Sequence, residues 1–568
     1  MKRKSARLGW LVLLAACAQS PAADPRPAGP LTAAESLYLD LRDVRDRIDV
    51  AGSAGQATTD DGTPVATLAR RHAELRRELV ARLGAVDSAA LVDDDARAFS
   101  IMRQVLAREL APLADGVPLA PAATEPAPDC RYDAAAIGAT SGGLDSLRRR
   151  IYACFGWAQH RVAVGADTMD RLSLLGALGR TDDPAERRRL FLALEPVWRS
   201  VNGDNGPGSP YRRLIALSVK ERPSGGSAAS QARRSGVPPD SLEHWLLAIL
   251  EAWREVNPDS LIEPWDWYHR TGRPARALGG RISRAGLRDL NARVYGALGA
   301  DLRALDVRYD LEPREGKTPV AFCTFGARPR LRDGRWTQGR PSVFATYRDG
   351  GLDNLAELLH ETGHAVHIAA IRTRPAFTDW PDSDPFTEAI ADFVALDVSE
   401  PAWQQHWLGD SVPLADGLRS RYGGIVLDVA WSLLELHMLR HPTADPNAVW
   451  TRLTHDYLRI RPHPELSWWA MRGQLVDSPG YMMNYAVGAI LIAAIRARTV
   501  AQHGPYFAGD STWYPWVSSR LFRYGLERPT SEVIEEFLGG AVTPAALLAD
   551  MRRIKSEGRA TSPALTGN

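Results

Sequence analysis

Apolar residues recur at helical spacing through most of this chain. The stretches AAESLYLDLRDVRDRI (33–48), ATLARRHAELRRELVARL (66–83) and ARAFSIMRQVLAREL (96–110) each repeat them every three or four positions, which predicts amphipathic helices. A Pro/Ala-rich linker, ADGVPLAPAATEPAPD (114–129), follows. Helical periodicity resumes over 144–305, with breaks predicted at 203–210 and 223–239. The pattern then changes. TPVAFCTF (318–325) and PSVFATY (341–347) are rich in β-branched and aromatic residues and read as two strands, joined by an Arg-rich loop containing Asp333-Gly334. Amphipathic helices return at 425–440 and 448–459. The run PGYMMNYAVGAILIAAI (479–495) is apolar nearly all round but shorter than a membrane span, so it predicts a buried central helix. The expected fold is mostly α, with a small β-sheet.

Composition mainly excludes. The 568 residues are 45% hydrophobic, enough for a large core in one big domain or two lobes. Arg far outnumbers Lys, but Lys+Arg total 69 against 68 for Asp+Glu, so there is no basic footprint for nucleic acid or a membrane surface. The N-terminus is the exception. Lys2, Arg3, Lys4 and Arg7 precede a short apolar run (8–16) that ends in Leu14-Ala15-Ala16-Cys17. Residues 1–16 read as an export signal. The ending resembles the bacterial lipobox, with Cys17 lipidated; the plainer alternative is an ordinary cleaved signal. The lipobox reading places the chain in the periplasm, held to the membrane only by its lipid, with 17–31 as a tether. Export permits a disulfide between Cys130 and Cys154 across a Gly/Ser turn (140–143); two buried thiols are the alternative. Cys323 is left as a core thiol. The expected organisation is signal 1–16, tether 17–31, N-terminal helices and linker 32–129, main domain 130–556 and tail 557–568.

Candidate chemistry concentrates in LAELLHETGHAVHIAAIRTRPAFTDWPDSDPFTEAIADFVALD (355–397). Positions i and i+4 share a helix face, so His360 and His364 can aim two imidazoles at one metal ion. Glu361 is poorly placed as a ligand but close enough to hold a water there. This is the HExxH spacing. Leu355, Leu358 and Leu359 give the helix an apolar face, and Asp353 is placed to cap its start, with Glu357 in the first turn. Asp384-Pro385 reads as a second helix start. That helix carries Glu388, 24 residues after His364 and a candidate third ligand. It also carries Asp392, which can accept the second ring N–H of a ligand histidine and fix its tautomer. An exposed acidic face is the plain alternative for both. His367 reads as a hydrogen-bonded core residue. Tyr481 and Tyr485 lie i,i+4 on the apolar helix, where a hydroxyl can donate to an oxyanion; core aromatics are the alternative.

Two histidines and a glutamate from a following helix resemble the gluzincin metallopeptidases. TEAIADFVALDVSEPAWQQHWL (387–408) is similar to a segment of the angiotensin-converting-enzyme family of dipeptidyl carboxypeptidases (peptidyl-dipeptidase A). HETGHAVH (360–367) resembles the thimet oligopeptidase family. The resemblance implies a large helical gluzincin peptidase fold with a deep central cleft beside the small sheet. It implies one Zn²⁺ per chain on His360, His364 and Glu388, Glu361 as general base, and peptide substrates. It also implies N-terminal helices over the channel and a strand that binds extended peptide backbone. Tyr485 aligns with the converting-enzyme family's transition-state tyrosine, and Tyr481 with Tyr485 echoes the GYxxGY spacing of thimet oligopeptidase. There are departures. No histidine lies in the ten residues before Tyr485, and Asn484 stands where the converting enzyme has a chloride-binding arginine. The lysine that receives a substrate carboxylate has no match; His463, in RPHPELSW, is a candidate substitute, but it reads rather as a turn histidine between prolines. The missing lysine weakens dipeptidyl carboxypeptidase action against oligopeptidase action. The missing histidine keeps a non-catalytic peptide-binding or scaffold lipoprotein in play.

Overall fold

In the computed structural model the described residues are 29–108, 128–130, 143–221, 226–257, 261–314, 317–318, 320–332 and 335–556. The export signal, Cys17, the tether up to residue 28, linker residues 114–127 and the tail 557–568 lie outside them. Helices dominate, as the apolar periodicity predicts, and one continuous core runs from Leu144 to Ile554.

The three N-terminal helices, Thr32–Ser53, Val65–Gly84 and Asp93–Arg108, build a smaller core of their own around Tyr38, Leu79 and Met102. It is closed by Ala376 and Phe377, from the turn after the HExxH helix. Charge fixes this docking. Arg328 is 2% exposed, and its guanidinium meets Asp46 at 2.7 Å, Asp43 at 3.2 Å and Asp379 at 3.3 Å while lying 4.3 Å over the Phe325 ring. A buried cation is tolerated where it is paired this fully.

The HExxH helix spans Leu352–Ala370, with Leu355, Leu358 and Leu359 fully buried. Its cap is Gly351 at φ +104°, a backbone conformation that glycine takes without steric cost. Asp353 therefore sits inside the first turn and does not cap, contrary to the expectation. The next helix, Asp384–Ala395, starts as expected: Ser383 Oγ accepts from the Phe386 N–H, and Pro385 occupies the first turn. The two helices touch backbone to backbone. A Cβ on Gly363 would stand 2.5 Å from the Ala391 carbonyl oxygen, so only glycine permits this approach. The helix Met483–His503 is the expected buried one, with Ala486, Ile490 and Leu491 at 0% exposure, but it starts later than the predicted 479, which leaves Tyr481 in the turn before it and only Tyr485 on the helix. A long helix, Leu414–Arg440, packs alongside, beginning well before the predicted 425.

The sheet has three strands. Ser342–Phe344 lies in the middle, parallel to Arg308–Asp310 and antiparallel to Phe322–Thr324, with Val343 opposite both Tyr309 and Cys323. The two expected strands are thus present but short. The third, 308–310, is too brief to show alternation in the sequence. The Arg-rich connection forms its own ladder, Arg330–Arg332 with Arg335–Thr337. A second hairpin, Val162–Val164 with Asp167–Met169, interrupts the expected helical stretch, and the helix Gly226–Arg234 occupies part of a predicted break. Cys130 and Cys154 are disulfide-bonded. Cys323 is a free, half-buried thiol on the outer strand.

Candidate metal centre

His360 and His364 project from one helix face with ring centroids 4.9 Å apart and planes near perpendicular. Glu388 reaches from the neighbouring helix to 3.6 Å from His360 Nε2. Candidate ligand atoms of the three residues all lie within 4.8 Å of one another. The close Gly363–Ala391 approach makes this convergence possible. Asp392 Oδ1 accepts from His360 Nδ1 at 2.8 Å, which leaves Nε2 turned toward Glu388. His364 has no equivalent partner, and its Nδ1 is buried without a hydrogen bond. Its ring is held instead by Trp380, edge-on at 5.5 Å, which itself packs on Phe325 at 5.1 Å. Sequence reasoning missed Trp380; an aromatic in the loop between the two motif helices was the sole signal.

The electrostatics are those of a site short of positive charge. Burial opposes a charge on His360, but Asp392, Glu361 and Glu388 override it and lift the imidazole to about 10. Burial, with Glu357 and Glu388 adding to it, pushes Glu361 up to about 8, and Glu388 rises to about 7. Burial pushes His364 down. Glu361 Oε2 is buried with no partner. A divalent cation would relieve these carboxylates, and a donor set of two imidazole nitrogens and one carboxylate oxygen suits zinc.

Tyr485 and Tyr481 are half-buried, T-shaped to each other at 5.7 Å. Gln474 Nε2 donates to the Tyr485 hydroxyl at 3.2 Å. Burial and then the charge of Glu388 raise both phenols, so both keep their protons and can donate. Instead of a histidine, an arginine precedes them. The Arg472 guanidinium lies 5.2 Å over the Tyr485 ring, pairs with Asp428 at 3.1 Å and feels the charge of Glu388. Arg171 is close enough that burial, and then the like charge of Arg472, lower it to about 10. Of the two guanidiniums, Arg472 is the one beside the tyrosines, while Arg171 lies over Phe155 and bonds Gln159. No local motif marks Arg472, Asp428 or Arg171.

On the other side of His360 a cavity of about 320 Å³ opens, lined by Asp353, Glu357, Asp392 and Arg421. The outer strand Phe322–Thr324 borders Glu361, whose charge joins burial in raising the Cys323 thiol. Other residues fall away from the site. His367 is fully buried among Trp380, Phe386 and Phe522 with neither ring nitrogen hydrogen-bonded, which corrects the expected bonded core residue. Burial takes it down to about 3, so it stays neutral. His463 bonds Glu465 and Glu263 at 2.7 and 2.9 Å, as a turn histidine. Asn484 is buried, its Nδ2 3.5 Å from Asp384 Oδ2.

No family model matches the chain, and no curated protein matches it. Solved structures do. The chain is similar to an M32 carboxypeptidase from Deinococcus radiodurans R1, with a TM-score of 0.54 and 15% identity over 93% of this chain and 99% of that one. It is also similar to a protein solved as CHT, with a TM-score of 0.54 and 12% identity over 93% and 99%. What is shared at this identity is the fold, a large, mostly helical architecture extending over nearly the whole of both chains.

Proposed function

We propose that the chain is a zinc-dependent peptidase that trims short or unfolded peptides from their carboxyl end. The observation that carries this reading is the His360–His364–Glu388 convergence with the unpartnered Glu361 Oε2 beside it. When bound, zinc supplies Lewis-acid activation of water and of the scissile carbonyl. Glu361 Oε2 takes the proton of the attacking water and passes it to the leaving amine. Tyr485 donates its hydroxyl hydrogen to the developing oxyanion, with Tyr481 one turn away. Asp392 keeps His360 in the tautomer whose Nε2 is free to ligate. The outer strand Phe322–Thr324 can pair with an extended peptide backbone, giving sequence-tolerant binding.

The choice of the carboxyl end rests on Arg472, which lies over Tyr485. It supplies the cation for a terminal carboxylate that the missing lysine left unassigned. The fold neighbour's description as a carboxypeptidase accords with this. The leader supports export with lipid on Cys17: Cys17→Ser should abolish labelling by a fatty-acid analogue, and persistent labelling would refute the anchor.

The test is mass-spectrometric mapping of cuts in a peptide library synthesised with free and with amidated C-termini, with and without a zinc chelator. Chelator-sensitive loss of C-terminal residues from free-acid peptides alone is expected. Equal internal cutting of both sets would mean an oligopeptidase. Full zinc loading without any cut would mean a peptide-binding scaffold, the reading that the absent histidine before Tyr485 favours.

A further inference from the structure

We propose that Glu435 is a positioning residue whose carboxylate clamps the turn presenting Tyr481 and Tyr485 to the site. This rests on the function proposed above. Glu435 lies on the helix Leu414–Arg440 and is 1% exposed. Its Oε1 accepts from the Gly480 N–H and its Oε2 from the Met482 N–H, each at 2.9 Å. Both oxygens are therefore committed to the amides on either side of Tyr481.

The rest of the turn is held by its own backbone, including a bond from the Tyr485 N–H to Met482 O at 3.2 Å. Ser478 O accepts from the Tyr481 N–H at 2.9 Å, and Tyr481 O accepts from the Asn484 N–H at 2.8 Å. Gly480 sits at φ +92°, where a side chain would be strained. The helix Met483–His503 begins directly after, and its end presents N–H groups that have no partner within the helix. A hydroxyl or an amide side chain would satisfy one such donor without the desolvation cost of a buried carboxylate. Burial opposes the ionised form of Glu435, and the two N–H groups favour it. A cap with one acceptor holds one amide. The two oxygens of Glu435, fixed in one plane, face two amides at once. They thereby fix the backbone direction from which both phenols leave.

Glu435→Gln is the direct test, because it keeps the shape but turns one acceptor into a donor facing an N–H. Zinc content, kcat and KM are measured for this variant. They are measured again with Glu435→Gln placed in a background carrying both Tyr481→Phe and Tyr485→Phe. If the clamp works through the tyrosines, kcat falls on the order of 10²-fold, the loss expected for a misplacement of about 1 Å, with KM and zinc content little changed. In the double-phenylalanine background the same change then costs almost nothing. A zinc-loaded Glu435→Gln enzyme with wild-type kcat overturns the proposal. So does an equal loss in both backgrounds, which marks a structural role only. Should Glu435→Gln not fold, hydrogen exchange on the wild-type protein decides. The Gly480 and Met482 amides are expected to exchange as slowly as core helix amides, and loop-like exchange overturns the clamp. Failure of the underlying function would appear separately, as no peptide turnover by the wild type or no loss on removing the phenols.

Discussion

Gly363→Ala isolates the contact that brings the metal ligands together. The added Cβ would lie 2.5 Å from the Ala391 carbonyl oxygen, 2.8 Å from its Cα and 3.0 Å from its carbonyl carbon. These are backbone atoms and cannot rotate aside. Ordinary contact begins at 3.4 Å, so the helices must part by about 0.9 Å (3.4 minus 2.5). Ala391 is less than a turn from Glu388, and His364 follows Gly363, so the displacement passes directly to two of the three ligands. Metal sites tolerate deviations of about 0.2 Å in ligand distance, several times less than this. Stability should respond far less. Overpacking costs roughly 1–3 kcal/mol, and replacing glycine by alanine inside a helix returns about 1 kcal/mol. The net loss is about 0–2 kcal/mol, a fall in Tm of at most about 2 degrees for a chain of 568 residues. The expected variant is folded, with zinc affinity down by at least about tenfold, equivalent to roughly 1.4 kcal/mol. Competition against a chromophoric chelator gives the affinity, and thermal unfolding of the metal-free protein gives the stability. Wild-type zinc affinity, or a raised Tm with affinity intact, would refute the reasoning.

His360→Ala should lose both metal and turnover, whereas Glu361→Gln should keep about one zinc per chain and lose turnover; if metal analysis finds both equally empty, the roles are misassigned. Tyr485→Phe should lower kcat and kcat/KM together by on the order of 10²–10³-fold with zinc content unchanged, and near-wild-type kinetics would remove it from the mechanism. Arg328→Met should destabilise by roughly 3 kcal/mol in thermal or denaturant unfolding, because it removes the buried cation shared by Asp43, Asp46 and Asp379 and leaves Arg330 on Asp43 and Arg42 on Asp379; a loss under about 1 kcal/mol would contradict the pairing. The same cluster sets a pH response: burial works against the Asp379 charge, but Arg42 and Arg328 hold its carboxyl below the usual range. Its stabilisation is therefore complete above the ordinary aspartate value of about 3.9 and lost as pH falls through the lower folded value, and acid unfolding curves of Arg328→Met should show that component reduced, with Arg42 left to hold it. Chloride at constant ionic strength should leave turnover unchanged, since Asn484 offers no charge-assisted anion contact; a several-fold rate rise would contradict this.

Local periodicity made part of this protein legible from its sequence alone. His360 and His364 share a face because one helix turn places i over i+4, and Glu388 and Asp392 share one for the same reason. Asp384 and Pro385 mark the start of their helix by chemistry contained within a few residues, although the cap itself, Ser383, showed only in the structure. The run 479–495 reads as buried because it has no polar face. What closes the site depends on how distant elements cross. Gly363 is an unremarkable motif position until Ala391 is seen against it. Trp380, Arg472 and Glu435 carry no spacing relative to the zinc motif, yet they pack on His364, lie over Tyr485 and accept from two amides flanking Tyr481. Export left the state of Cys130 and Cys154 open, and the packing joins them. The N-terminal helices were readable as helices, but their docking on Arg328 and Phe377 was not. The physical reason is common to all of these. A helix fixes side-chain direction along its own axis, whereas the distance and angle between helices are set by the side chains of both partners. No stretch of one element contains that information.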